Sequence, residues 1–302
     1  MSILSAIGNT PLVEISNISP NPRVRIFGKL EGANPGGSVK DRAAYYMIRK
    51  AEESGELTRH KVLLEPTSGN TGIAIAMIGA AKGYKVKLCM PECVSTERRR
   101  VLEAFGAEVV LTTASEKTDG AIRKAHEILA DEPDKYYMPN QFENPNNALA
   151  HYETTGPEVW SQTRGEIDVF VAGMGTTGTL MGVSRFLKEK KAAVRVVAVE
   201  PILGHTIQGL KNMSEAIVPG IYRPAMVDRK ITIDDDEAFE TTRALATREG
   251  VFVGMSSGAA VAGAFRVAAE MASGTIVVVL PDRGDRYLST NLFKSVCGIC
   301  PP

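Results

Sequence analysis

Three stretches of the 302-residue chain put reactive or anion-binding groups at the starts of helices. The first carries a lysine: Glu31-Gly-Ala-Asn-Pro-Gly-Gly-Ser38-Val-Lys40-Asp-Arg-Ala-Ala. Ser38 is a suitable N-cap, and Val39, Ala43, Ala44, Met47, Ile48 and Ala51 recur at helical spacing until Gly55. A cation in the first turn opposes the positive end of the helix dipole, at a cost of a few tenths to about 1 kcal/mol. Asp41 offsets part of that. One reading is a solvated lysine tolerated at a cap. The other is an amine wanted where its charge is hard to keep, because a lysine of lowered pKa is a nucleophile suited to forming a Schiff base.

The second stretch is Glu65-Pro-Thr67-Ser68-Gly69-Asn70-Thr71-Gly72, between an apolar strand pattern and a helix pattern. Hydroxyls and small residues at a helix N-terminus leave free backbone N–H groups and suit a carboxylate or a phosphate. The third is Gly173-Met-Gly175-Thr176-Thr177-Gly178-Thr179. It contains a literal G-x-G-x-x-G, with Glu200 closing the next strand, which by motif alone is a dinucleotide fingerprint. Against that, the unit sits in mid-chain without a second half, and its three threonines suit a single terminal phosphate. A dinucleotide would also leave Lys40 and the Thr67 loop without a role. Gly254-Met-Ser256-Ser257-Gly258-Ala259 starts another helix and, taken alone, reads as a capping serine pair. An amine, a carboxylate cradle and a monophosphate cradle together imply pyridoxal 5′-phosphate.

The elements that must position these groups alternate. Strand patterns at VRIFGKLE, KVLLEPT, KVKLCMP, AEVVLTT, IDVFVAGMG, VRVVAVEP and TIVVVLP are separated by helix patterns, among them STERRRVLEAFG, DGAIRKAHEILADE and DEAFETTRALATREG. Near-continuous apolar strands alternating with helices predict an α/β protein whose mostly parallel sheets are covered on both faces. The Asn- and Pro-rich segment 139–147 reads as a crossing between two lobes. The expected division is a smaller, mobile N-terminal lobe over 35–145 and a larger lobe made of 1–34 and 146–302. Ligands in such folds sit beyond the carboxyl ends of the strands, often between lobes.

Composition narrows the class of partner. Apolar residues make up 44% and charged residues 23% of the chain, an ordinary globular balance. Lys+Arg and Asp+Glu are both 35, so nothing electrostatic favours nucleic acid or an anionic membrane. No apolar run approaches the roughly 18 residues of a spanning helix, and MSILSAIGNTP lacks the pattern of a signal peptide. Four cysteines argue against a disulfide framework and for a reducing, cytoplasmic setting. Cys297-Gly-Ile-Cys300 reads by default as an exposed, reduced tail, although C-x-x-C can be redox-active or half a metal site. His60, His126, His151 and His205 form no ligand spacing and read as structural or surface residues, so no metal is expected. Lys211 reads as a solvated loop lysine, with a place at the mouth of the site as the alternative.

The motifs PGGSVKDR, EPTSGNTG, MGTTGT and GMSSGAA resemble the matching segments of the cysteine synthases, or O-acetylserine sulfhydrylases, as do IGNTPLV, HYETTGPE, REGVFVG and DRGDRYLST. The resemblance runs in order over essentially the whole chain and is nearest to the cysteine synthase B type. It implies a fold type II pyridoxal-phosphate enzyme, similar to the tryptophan synthase β group. Lys40 would hold the cofactor as a Schiff base and act as general base. Asn70 would bond the ring 3′-oxygen, Gly175, Thr176, Thr177, Gly178 and Thr179 the phosphate, and Ser256 the pyridine nitrogen. Thr67, Ser68, Gly69 and Thr71, with Gln141, would receive the substrate carboxylate. The implied transferase reaction converts O-acetyl-L-serine and sulfide into L-cysteine and acetate by elimination and addition at Cβ, with closure of the small lobe excluding water. O-phosphoserine, serine or cysteine remain open as substrates, leading to cystathionine, lanthionine or hydrogen sulfide. A non-catalytic scaffold of the same fold is the distant alternative. A homodimer and docking of a serine acetyltransferase tail are further implications of the resemblance.

Overall fold

The computed structural model describes residues 1–67, 69–92, 94 and 96–293. The strands are β1 (Leu12–Glu14), β2 (Val24–Leu30), β3 (Val62–Pro66), β4 (Val86–Pro91), β5 (Glu108–Thr112), β6 (Tyr136–Tyr137), β7 (Val169–Gly173), β8 (Arg195–Pro201), β9 (Arg229–Ile233) and β10 (Gly274–Leu280). The helices are α1 (Lys40–Ser54), α2 (Asn70–Lys82), α3 (Thr96–Ala104), α4 (Lys117–Asp131), α5 (Pro145–Ala150), α6 (Gly156–Gln162), α7 (Gly178–Lys190), α8 (Asp235–Glu249) and α9 (Met255–Glu270).

Among the described residues, the strands form two sheets. One has six strands in the order β1-β2-β10-β7-β8-β9, parallel except for β1, and the other has four parallel strands in the order β5-β4-β3-β6. The central strand β10 is buried along Ile276–Leu280 and pairs in parallel with β2 and β7. A strand covered on both faces has to be apolar at every position, which explains its unbroken TIVVVL. Helix α2 is enclosed from Thr71 to Gly79 and α9, rich in Ala and Gly, from Met255 to Ala264, and both are almost wholly apolar over those turns. Its Gly263 lies so close to the sheet that a Cβ there would stand 2.5 Å from Val199 Cγ2. By contrast α8 is solvated on one side. Asp234 caps it by accepting from Glu237 N at 2.8 Å, three acidic residues follow in its first turn, and Gly250 ends it at φ 68°.

Several details differ from the sequence-based expectation. Helix α1 begins at Lys40, and Ser38 Oγ accepts from Lys40 N at 3.3 Å, so the serine serves the first turn from one residue further out. The segment 139–147 is only partly loop. Asn144 accepts from Asn146 N at 3.0 Å and starts α5 with Pro145 in its first turn, and a π-helical turn, His151–Thr155, leads into α6. Its Asn and Pro content reflects capping. The short strands β1, β6 and β9 carried too little pattern to be read. The Cys297/Cys300 tail lies outside the described residues, as do Cys93 and Ser68. Cys89 is buried in β4, and burial pushes its thiol up to about 11, so it is an inert core residue.

A buried ionic network ties α1 and α6 to β2 of the six-stranded sheet. Arg42, 1% exposed, bonds both oxygens of Glu31 (2.7 and 2.9 Å) and both of Glu158 (2.6 and 2.7 Å). Lys29, fully buried on β2, bonds Glu158 at 2.7 Å and Gln162 at 2.9 Å. Burial pushes the Glu158 carboxyl up, but the bonds and charges of Arg42 and Lys29 outweigh it and hold it at about 2. Removing one partner strands the others, which costs about 3–5 kcal/mol in such networks. Arg42→Ala is therefore expected to lower unfolding free energy by about that much in urea titrations. A loss below about 1 kcal/mol would show that the network contributes little.

Candidate active site

Within each sheet the parallel strands point their carboxyl ends the same way, and hydrogen bonds between segments bring the loops that follow β2, β3, β7 and β10 together. Ser38 pairs with Asp282 in a backbone bridge, and Val39 N donates to Pro281 O at 2.9 Å, which joins the Lys40 turn to the end of β10. Asn70 Nδ2 donates to Asp282 Oδ2 at 2.6 Å, which adds the start of α2. Thr71 Oγ1 donates to Gln141 Oε1 at 2.7 Å. Asn147 Nδ2 donates both to Gln141 O (2.7 Å) and to Thr176 Oγ1 (3.1 Å), which adds the start of α7. Gly175 approaches Gly209, whose nearest neighbours include Ser256 Oγ on α9. The residues singled out in the sequence thus form one connected set, except for Ser68, which lies outside the described residues.

Lys40 is half-buried, and Nζ makes no hydrogen bond or ion pair among the described residues. Burial pulls its amine down to about 8, against the opposing pull of the Asp282 carboxylate. An uncommitted amine near neutrality is the nucleophilic state that the second reading of the lysine required.

The loop before α7 is built for an anion. Thr177 stands at the N-cap with φ 65°, a left-handed conformation uncommon for a threonine, and its buried hydroxyl has no partner among the described residues. No side chain caps α7, so its first N–H groups are free for a ligand. The N-cap residues of α2 and α9, both glycines, likewise give no side-chain bond. Thr67 Oγ1 accepts from Gly69 N and Gly72 N, both at 3.2 Å, and shapes the loop before α2. With the Gln141 oxygen taken by Thr71, its Nε2 donates to the Glu65 carboxylate and keeps a second N–H for a substrate carboxylate. Ser256 is 3% exposed, and its hydroxyl makes no bond with the described residues, which leaves a neutral partner for a ring nitrogen.

Five polar residues at this site were given no individual role from the sequence. Asp282 is 1% exposed and also accepts from Tyr287 Oη at 2.6 Å. Arg286 donates to Asn70 Oδ1 and to Gly36 O, pinning the α2 start to the Lys40 loop. Both belong to DRGDRYLST, whose charged density was the available signal. Glu65, fully buried, accepts from Asn140 N (2.9 Å) and Gln141 N (3.2 Å) and thereby places Gln141. Burial pushes its carboxyl up to about 7 against those two bonds and a third from the Gln141 side chain. His151, read as structural or surface, is buried and spans Thr155 Oγ1 (2.9 Å) and Thr179 Oγ1 (3.2 Å), with burial holding its ring neutral. Asn147 is the fifth. Lys211 is half-buried, with its ammonium 4.4 Å from the centre of the Phe142 ring, so it is not freely solvated.

The profile of the family described as pyridoxal-phosphate dependent enzyme matches residues 3–282. The chain belongs to that family. Cysteine synthase B of Salmonella typhimurium is 50% identical to this pyridoxal-phosphate-dependent enzyme over 287 residues, covering 95% of this chain and 94% of that protein. The cysteine synthase of Aquifex aeolicus is 45% identical over 301 residues, covering 97% and 92%. The crystal structure of the Entamoeba histolytica cysteine synthase superposes with a TM-score of 0.91 at 41% identity, covering 97% of this chain and 90% of that one. The α/β architecture expected from the sequence is therefore the fold type II architecture.

The residues present fit pyridoxal 5′-phosphate. The free amine of Lys40 suits its aldehyde, the uncapped α7 start with its orphan Thr177 hydroxyl suits its phosphate, and Ser256 suits its ring nitrogen. Asn70 keeps one N–H beyond the one given to Asp282, which suits the 3′-oxygen. The rate at which the apo-enzyme takes up pyridoxal phosphate should rise with pH around a midpoint near 8, where Lys40 loses its proton. Asp282 favours the charged amine, so Asp282→Asn should move that midpoint to lower pH, followed by visible absorbance. An unmoved midpoint would remove Asp282 as a source of the bias.

Proposed function

We propose that this enzyme makes L-cysteine by β-replacement, exchanging the acetoxy group of O-acetyl-L-serine for sulfide and releasing acetate. The observation that carries the reading is a lysine of pKa about 8, with no hydrogen-bond partner among the described residues, in one connected site with the threonine-lined starts of α2 and α7. Its relatives named cysteine synthase, at up to 50% identity over almost the full chain, support the choice of substrates.

When bound, pyridoxal phosphate supplies the electron sink that makes Cα–H of the amino acid acidic and lets a β-substituent leave. Thr67, Ser68, Gly69, Thr71 and Gln141 receive the substrate carboxylate, which fixes Cα relative to Lys40. Lys40, displaced by the substrate amine, takes the Cα proton and returns it once sulfur has added at Cβ. Its amine near pH 8 is poised for both steps, and Asp282 steadies the ammonium between them. Gly175, Thr176, Thr177, Gly178 and Thr179 anchor the phosphate, with His151 holding Thr179 from behind. Asn70 bonds the 3′-oxygen. Ser256 offers the ring nitrogen a neutral hydroxyl, which leaves the sink moderate and suits loss of a β-leaving group over transamination.

Residues 35–145 act in this reading as the smaller lobe, which closes when the carboxylate binds and keeps water out. The placement of β3–β6 in a sheet of their own supports it. A cytoplasmic homodimer is part of the same reading. It is supported by the buried, reduced Cys89 and by exposed apolar side chains such as Ile202, Leu203, Ile217 and Phe252. Docking of a serine acetyltransferase tail rests on the family resemblance alone.

The test is a visible spectrum of the holoenzyme taken before and after O-acetylserine, then after sulfide. The cofactor band should change with O-acetylserine and return with sulfide, and Lys40→Ala should lose turnover by about 10²–10⁴-fold or more. A band unmoved by O-acetylserine but moved by O-phosphoserine or serine would replace the substrate. Near-native activity of Lys40→Ala would overturn the mechanism.

A further inference from the structure

The crossing segment between the sheets holds a buried amide that neither sequence motifs nor the reaction accounts for. Asn147, on α5, is 1% exposed. Both N–H groups of its amide are spent, one on the backbone carbonyl of Gln141 at 2.7 Å and one on Thr176 Oγ1 at 3.1 Å. Its oxygen is buried without a partner among the described residues and presses on the first residue of α7. A Cβ on Gly178 would stand 1.9 Å from it. The amide is therefore fixed from both sides. Because Thr176 Oγ1 accepts from Asn147, its own proton has to point elsewhere, and no described residue takes it.

At the other end, Gln141 is held by Glu65 through its backbone N–H and by Thr71 through its side chain. A carboxylate arriving at the α2 loop competes for the Thr71 proton, which Gln141 Oε1 now accepts. Losing that bond leaves the Gln141 amide held by Glu65 alone, so that it can turn an N–H to the carboxylate. The backbone carbonyl of the same residue fixes Asn147.

We infer that Asn147 is a positioning residue that ties the substrate-carboxylate loop to the phosphate loop, so that occupation of one strengthens the hold of the other. The inference rests on the assignment of those two loops given above. Such linkage is reciprocal, and couplings of this kind amount to about fivefold or more in affinity.

The experiment is release of pyridoxal phosphate from the holoenzyme after dilution, followed by loss of the visible band, with and without saturating acetate. Acetate carries the carboxylate but no amine, so it leaves Lys40 attached. Acetate should slow release about fivefold or more in the native enzyme. In Asn147→Ala, and in Asn147→Asp, which keeps the shape but has no N–H to give, the ratio should fall to within about twofold of unity. The second variant serves where the first does not fold. A substitution that only loosens the fold would speed release equally with and without acetate. An unchanged ratio in the variants, or no effect of acetate on the native enzyme, would overturn the inference. A native protein that binds no pyridoxal phosphate would overturn the assignment beneath it and the inference with it.

Discussion

An amine that must lose its proton stands at the start of α1, while the next two residues of the same helix are charged and buried. Most of the surrounding structure answers that constraint. Arg42 is enclosed by two carboxylates, with Lys29 balancing the second, so the network carries no net charge toward Lys40. Asp41 accepts from Gly36 N at 2.5 Å, and burial pushes its carboxyl up to about 7, close to neutral. Asp282 is left as the carboxylate that opposes burial at Lys40. A lysine in bulk water near pH 7 would be almost entirely charged. Here the low-dielectric surroundings bring its pKa down to about 8, so a neutral fraction exists near pH 7, and one carboxylate limits how far they go.

The anion sites follow from topology. Parallel strands put every strand-to-helix turn on one side, and a helix that begins there offers free N–H groups unless a side chain caps it. Helices α2, α7 and α9 all lack such a cap, although α8, away from the site, has a well-formed one in Asp234. The difference is local. Capping stabilises a helix by about 1 kcal/mol, and although α4 and α6 also lack a cap, at α7 and α9 its absence leaves N–H groups beside the site open to a ligand. The left-handed backbone at Thr177 belongs to the same pattern, strain tolerated where the loop has to wrap an anion.

Much of this was legible in the sequence because the signals are local. Long apolar strands, helix periodicity, and glycine- and threonine-rich turns each lie within about ten residues, and the elements they predict are present. What escaped notice depends on contacts between distant segments. Asp282 meets Asn70 across 212 positions, Arg42 meets Glu158 across 116, and Glu65 meets Gln141 across 76. Nothing in the immediate neighbourhood of Glu65 distinguishes a clamp for another loop from an ordinary surface glutamate. His151 was read as a bystander because its partner, Thr179, lies 28 positions away. The short α5 was read as loop because Asn and Pro serve helix starts as well as turns.

The G-x-G-x-x-G of the α7 loop shows how a motif can be literal and still mean something else. In a dinucleotide fold, its second glycine admits the pyrophosphate and the acidic residue at the end of the next strand meets a ribose hydroxyl. Here the glycines make room for the protein itself. A Cβ on Gly173 would strike Leu210 at 2.5 Å, one on Gly175 the carbonyl of Gly209 at 2.7 Å, and one on Gly178 the amide of Asn147. Glu200 is 4% exposed, with Oε1 paired to Lys230 at 2.7 Å and Oε2 accepting from Met213 N at 3.4 Å, so both of its oxygens are engaged within the protein. The motif needs glycine because two other segments, 209–210 and α5, converge on one turn. That convergence brings Ser256, Thr176 and Gln141 within reach of a ligand as small as a single substituted pyridine ring.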